Sequence, residues 1–317
     1  MMPFASFSDL SNMTSISDKG HPQTVLYRTL RRLSGAYSTN TLRAYQSDFE
    51  KFIEWCQSLD LCPLPASPET VADHVTAEAE KLKPATIRRR VTSIGRIHRF
   101  ARHPDPTQDE EVFLALRRMH RRKGRRQQQV IGMTAVIRDQ LIAAAGDDIQ
   151  GLRDELLLRL AYDSMRRRSE VVSLLVEDVT QDPDGTSKVL LRFSKTDQEG
   201  EGHIIKLSTD TMAVVNAWIT QAGLTEGPIV RNVTRYGTVG RKLCPESVSR
   251  IIKRLARNAG LPADIIDRLS GHSPRVGAAQ DMLAEGKTLI QIMHRGGWRK
   301  PETVFRYVEH AEQTAPM

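Results

Sequence analysis

A chain of 317 residues with 39% hydrophobic side chains is long enough for about two domains, each with its own core. Its 46 lysines and arginines against 38 acidic residues give a net charge of +8, the balance of a protein that meets a polyanion. No apolar run approaches the roughly 18 residues of a membrane span, and the three cysteines lack CxxC or Cys/His spacing, which argues against a membrane protein, a disulfide scaffold or a structural zinc.

Residues 1–20 are rich in Ser, Met and Asp without periodicity and are expected to form a flexible tail. The opening lacks a basic segment followed by an apolar one, so the expected setting is cytoplasmic and reduced. Residues 21–120 read as a helical domain. Ser38 to Thr41 offers a cap, and Leu42, Tyr45, Phe49, Phe52 and Ile53 recur at helical spacing. Ser67-Pro68-Glu69 opens another helix, with Ser as N-cap and Pro at the first helical position. A third starts near Pro84, where Ile87, Val91, Ile94 and Ile97 form an apolar stripe opposite Arg88, Arg89, Arg90, Arg96 and Arg99. Such a helix can rest on a small core and turn its arginines to phosphates or a groove, although a merely solvated face has the same pattern. Arg43 and Lys83 extend this basic set.

Arg117, Arg118, Arg121 and Arg122 belong to a dense basic run that ends in three glutamines. It is the strongest boundary in the chain, and a basic linker is expected at 121–133. Residues 134–317 then read as a second domain, helical through Leu160 and again over Met165 to Leu175. Alternation over Ser187 to Phe193 and a second run, His203 to Leu207, predict two strands of a hairpin or sheet edge. Helices resume at Thr209, Pro245, Pro274 and Pro301. The expected fold is mostly α with a small β-sheet.

Within the second domain Arg167 and Glu170 lie three apart, so on a helix they share a face. A carboxylate can fix the arginine and leave other N–H groups for a phosphate oxygen. The triplet Arg166 to Arg168 leaves the register open, and a surface ion pair would show the same spacing. Lys195 follows the first strand and could reach a cleft from the hairpin. In His272-Ser273-Pro274-Arg275, Ser273 as N-cap places Arg275 in a first helical turn, where free N–H groups and the helix dipole favour an anion. His272 stands just outside. Tyr307 falls on the second turn of the helix from Pro301, with Trp298 before it. Among six tyrosines, position alone selects none.

Three blocks, Ala161 to Glu170, Ser270 to Ala279 and Ile292 to Trp298, followed by Tyr307, resemble the signature blocks of the tyrosine recombinases, or phage integrases, and most of all their Cre-like branch. The resemblance runs from about Tyr27 to Tyr307. It implies a C-shaped clamp of a SAM-like helical core-binding domain and a catalytic domain around double-stranded DNA. It resolves the triplet in favour of Arg167, with Glu170 as acidic companion. It makes Lys195 the hairpin lysine, His272 with Arg275 the His-x-x-Arg pair, Trp298 the replacement for a second histidine, and Tyr307 the nucleophile. Strands would be cut and rejoined through a 3′-phosphotyrosine without metal, ATP or other cofactor, by a homotetramer on two paired inverted-repeat sites. Two departures stand out. Ten residues follow Tyr307 where Cre-like relatives continue with a helix that docks into a neighbour, and Glu246 stands where their pattern offers a base-reading arginine. Glu246 and Arg250 are therefore expected to contact a different target. The competing readings are a relaxing topoisomerase of the same chemistry and a DNA-binding regulator that leaves its catalytic set unused.

Overall fold

The computed structural model describes residues 20–124, 130–194 and 201–308. The chain divides into two compact units, Met1–Gln128 and Gln129–Met317. The expected tail lies almost wholly outside the described residues, as do the end of the basic run, residues 125–129, and Lys195.

The first unit holds α1 (Pro22–Leu33), α2 (Thr39–Ser58), α3 (Pro68–Ala79), α4 (Pro84–Phe100) and α5 (Glu110–Lys123). Local chemistry sets their starts. Ser38 and Ser67 accept from the N–H groups of Thr41 and Thr70, and proline stands in the first turn of α1, α3 and α4. Leu26, Phe49, Phe52, Ile53, Val71, Val75, Ile87, Ile94, Ile97 and Val112 are fully buried together. Each contributes about 1.5–3 kcal/mol by leaving water.

Two expectations need correction here. Arg90 was placed on the open arginine face of α4, yet its side chain is only 17% exposed and is held by Glu78 of α3, with Asp48 of α2 at 3.8 Å. The basic linker does not begin at 121 either, because α5 continues to Lys123. Val112, Ala115 and Met119 give α5 a buried stripe, and His120 to Lys123 complement the negative end of its dipole. At the far side of the run, the Ile131 and Met133 amides donate to the carbonyls of Arg268 and Ser273, and Met133 is fully buried in the second unit. Packing of that unit thus begins before residue 134.

A buried histidine makes the first unit acid-sensitive. His74 packs against the rings of Phe52 and Trp55, at 5.0 and 4.7 Å, and neither of its ring nitrogens has a hydrogen-bond partner among the described residues. Burial first, and Arg90 second, push its imidazole down to about 4. Glu78 approaches at 3.6 Å but is already bound to Arg90, so burial prevails over that contact. The unfolded chain takes up this proton near pH 6.5 and the folded chain only near 4, so stability falls as pH drops through that window. His74→Phe is expected to lower the slope of unfolding free energy against pH there by about 1.4 kcal/mol per pH unit, the loss of one differential proton. An unchanged slope in chemical denaturation would contradict it.

The second unit holds α6 (Ala135–Ala143), α7 (Ile149–Ser164), α8 (Arg168–Val171), α9 (Thr209–Gln221), α10 (Pro245–Asn258), α11 (Ala263–Arg268), α12 (Ser273–Ala284), α13 (Leu289–Gly296) and α14 (Pro301–Val308), with a small sheet packed against the central α7. Leu156, Leu157, Leu158 and Leu160 are all fully buried, so α7 is covered on every side. Its Asp154 is buried as well, and is paired with Arg153 at 2.7 Å and with Arg254. The sheet is antiparallel in the order β1 (Val179–Gln181), β2 (Ser187–Leu191), β3 (His203–Leu207), with Val189 opposite Ile205. Val189, Leu191, Ile205 and Leu207 face the core.

The sequence expectation overran β2 to Phe193. The strand stops at Leu191, where Arg192 turns out to hold Asp178 through two bonds of 2.7 and 2.8 Å, and Phe193 is exposed. The helix expected over Met165 to Leu175 is not formed. α7 ends at Ser164, Met165 takes a left-handed conformation (φ 51°), and only Arg168–Val171 is helical afterwards.

Candidate active site

The break after α7 sends three consecutive arginines to three places. Arg166 turns inward and donates to the carbonyls of Gly296 and Arg295, at 3.3 and 3.4 Å. Arg168 lies on the surface, 3.4 Å from the Ser249 hydroxyl and 4.0 Å from Glu246. Arg167 is the N-cap of α8. Its amide donates to Glu170 Oε2 at 3.0 Å and its guanidinium to Oε1 at 2.8 Å, while Glu170 itself is buried. The sequence predicted the Arg167–Glu170 pair as neighbours on a helix face. The structure makes it a one-sided cap at the same three-residue spacing, in which the Glu170 carboxylate accepts from both the amide and the guanidinium of Arg167.

α12 supplies the next two groups. His272, rather than Ser273, is its N-cap, and Ser273 begins the helix and accepts from the Ser270 amide at 2.9 Å. Arg275 remains in the first turn. It is 1% exposed, and none of its guanidinium nitrogens has a hydrogen-bond partner among the described residues. Instead the guanidinium lies over the Trp298 ring, 4.3 Å from its centroid. Burial, reinforced by nearby Arg167, brings its proton affinity down to about 10, so it stays charged at neutral pH. A buried cation with unmet donors is costly until an anion arrives.

Tyr307 completes the cluster from α14. Its hydroxyl lies 2.7 Å from His272 Nε2, and its ring stands 5.7 Å from that of Trp298. α14 is held on α12 by Val304 and Val308 against Ala278 and Ala279, and by Gln280 donating to the Tyr307 carbonyl at 3.0 Å. Burial, then Arg275 and Arg167, push His272 down to about 4, so its imidazole is neutral near pH 7 and can accept a proton. Burial raises Tyr307 above the ordinary phenol value, against the opposing pull of Arg275 and Arg167. The resting phenol is therefore protonated. An anion beside Arg167 and Arg275 would be neutralised next to a hydroxyl already bonded to a base.

Of the other expected contacts, Arg43, Lys83, Arg96, Arg117, Arg118 and Arg121 are exposed, and Arg88 is half-buried. Arg89, Arg99 and Arg122 sit on the surface with acidic neighbours Asp48, Asp105 and Glu80. Glu246 occupies the first turn of α10, where it accepts from the Cys244 thiol at 2.7 Å. Arg250 stands one turn on, bonded to Ser247. No group of His, Cys, Asp and Glu among the described residues is arranged to hold a metal ion, and no helix among them is long and apolar enough to cross a membrane. Sequence reasoning missed the inward role of Arg166. Its one sequence signal was the Gly296-Gly297 pair ahead of Trp298.

Residues 133–314 match the model of the phage integrase family, and residues 27–104 that of the phage integrase N-terminal SAM-like domain. The chain is 32% identical over 293 residues to an integrase/recombinase XerD homolog of Selenomonas ruminantium, covering 88% of this chain and 84% of that one. It is 26% identical over 294 residues to the Cre recombinase of Escherichia phage P1, covering 87% and 86%. In fold it is similar to a lambda integrase fragment solved as a dimer bound to a core site, with a TM-score of 0.67 at 17% identity over 93% of this chain and 97% of that one. These matches and the largely helical fold with its three-stranded sheet define a site-specific recombinase that breaks and rejoins DNA. The chain belongs to the phage integrase family of tyrosine recombinases.

Proposed function

We propose that Tyr307 attacks a scissile phosphate of double-stranded DNA and forms a 3′-phosphotyrosine, and that a partner strand's 5′-hydroxyl then reverses the step. The observation that carries this reading is the 2.7 Å contact between Tyr307 and His272 beside the buried Arg275, whose guanidinium nitrogens have no hydrogen-bond partner among the described residues. The phenol loses its proton to His272 Nε2 as its oxygen bonds to phosphorus. Arg167, fixed by Glu170, and Arg275 neutralise the non-bridging oxygens, and the Trp298 indole N–H adds a hydrogen bond. Lys195 donates the proton that leaves with the 5′-oxygen. The phosphotyrosine keeps the bond energy, so rejoining needs no nucleotide, and no step calls for a metal or other cofactor.

Both units would contact the duplex, the first with the exposed arginines of α4 and α5 against phosphates. Joining four ends takes four active sites, hence a homotetramer on two paired inverted-repeat sites. A lambda integrase of similar fold, solved as a tetramer on a Holliday junction, supports that assembly. The test is to incubate the protein with a genomic DNA pool, trap covalent complexes, and sequence both the DNA and the modified peptide. Adducts on Tyr307 at one recurring inverted repeat support the proposal. Adducts scattered over unrelated sequences from a monomer would instead indicate a relaxing topoisomerase, and binding without any adduct a regulator.

Glu246 is expected to contribute to the choice of site. A carboxylate at the start of a helix in the major groove can accept from cytosine N4, worth about 1–3 kcal/mol of discrimination. Glu246→Arg should move the selected preference towards guanine at one position. Identical site profiles for both proteins would reduce Glu246 to its local contacts with Cys244 and Arg168.

A further inference from the structure

The C-terminus of α13 is closed in an unusual way. Its last four carbonyls, of Met293, His294, Arg295 and Gly296, have no partners within the helix. Gly297, left-handed at φ 66°, sends its amide to His294, and the Trp298 amide reaches back to Met293 at 3.0 Å, a Schellman closure. That leaves Arg295 and Gly296, and the Arg166 guanidinium takes both. Arg166 is 5% exposed and comes from the break between α7 and α8, 130 residues before Gly296 in the chain. A cation is also what the negative end of a helix dipole favours.

The packing admits little else. A Cβ added at Gly297 would lie 2.1 Å from Arg166 Nη1, and one at Gly296 would lie 2.1 Å from the Trp298 ring. On either side of Arg166, Met165 packs in one small core with Trp298, Val304 and Val308, and Arg167 makes its cap with Glu170. Three successive residues thus reach the tyrosine-bearing segment, the loop before it, and the anion site.

We propose that Arg166 is a positioning residue: by holding the last two carbonyls of α13 it sets the Trp298 ring against Arg275 and Tyr307, and so ties the placement of the nucleophile to that of Arg167. This rests on the proposed catalytic roles of those residues. Arg166 itself touches no reacting atom. Without it the α13 end is left with two unmet carbonyls, and Trp298 can swing away from Arg275 while both cores persist.

The experiment labels the protein's three tryptophans with 5-fluorotryptophan and follows their fluorine resonances, Trp298 being assigned by loss of its peak in Trp298→Phe. In Arg166→Leu the Trp298 resonance should shift or broaden while those of Trp55 and Trp218 stay in place. Single-turnover attachment to a nicked duplex, bearing the site recovered by the wild-type protein, should slow about 10²-fold, the scale of a misplaced reacting group. Affinity for the same duplex should change less than about twofold, within the spread of a surface substitution. Arg166→Lys keeps the cation but can satisfy only one carbonyl at a time, so a smaller shift and a smaller slowing are expected, and this variant decides the matter if the leucine variant does not fold. A Trp298 resonance unmoved in every folded variant, or Trp55 and Trp218 moving as far as Trp298, overturns the proposal. If the wild-type protein forms no adduct, the catalytic reading fails while the fluorine spectra still decide the role of Arg166.

Discussion

Tyr307→Phe is expected to abolish covalent attachment to DNA and leave binding nearly intact. Only the hydroxyl is lost. The ring keeps its place beside Trp298, and Val304 and Val308 still hold α14 on α12. Among the described residues the hydrogen bond removed is the 2.7 Å one to His272, a net loss of about 0.5–1.5 kcal/mol. Neither Arg275 nor Arg167 depends on that hydroxyl for its position, so the anion site persists and the DNA should still be held. Denaturing electrophoresis of labelled DNA with wild type and variant reads the first half, and equilibrium binding the second. A trapped adduct on another tyrosine would remove Tyr307 from the mechanism. The half-buried Tyr162, whose hydroxyl is bound to Asp281, makes a useful negative control.

The residues that come together at the site were all visible as motifs, but the sequence carried the wrong reason for several of them. A spacing of three places Arg167 and Glu170 on one helix face, and it equally places an N-cap beside its third residue. Only the left-handed Met165 separates the two cases, and nothing in a methionine announces a positive φ. The N-cap of α12 was misplaced by one residue for a similar reason, since Ser273 is a better capping residue by type than His272. β1, three residues long, is too short to show alternation, and β2 was read two residues too far because Arg192 and Phe193 continue its pattern. Most hidden was the division of arginines into structural and free. Arg90 belongs to the polar arc of α4, yet its partners Asp48 and Glu78 come from α2 and α3, and Arg166 finds its carbonyls 130 residues away. Amphipathic periodicity reports which side of a helix is polar. It does not report which polar groups will meet a carboxylate or a helix end brought in by the fold.

The role of Lys195, which lies outside the described residues, can be tested by chemistry alone. If it donates the proton to the departing 5′-oxygen, Lys195→Ala should be slowed by about 10²–10⁴-fold on ordinary DNA, the range for a lost general acid. A substrate with sulfur at the bridging 5′ position has a leaving group of much lower pKa, which departs without a proton. That substrate should restore attachment by Lys195→Ala. It should not restore Arg167→Ala, because the charge that Arg167 neutralises is on the non-bridging oxygens and is unchanged by the sulfur. Arg275→Ala should resemble Arg167→Ala, for its three guanidinium nitrogens, without a hydrogen-bond partner among the described residues, are placed to meet those same oxygens. Rescue of all three variants, or of none, would mean that the lysine holds the phosphate instead. His272 is a poor substitute as the acid: held down to about 4, it carries no proton to spare until it has taken the one from Tyr307. A rescue pattern that singles out His272→Ala in place of Lys195→Ala would therefore show the tyrosine's own proton being passed across the site to the leaving strand.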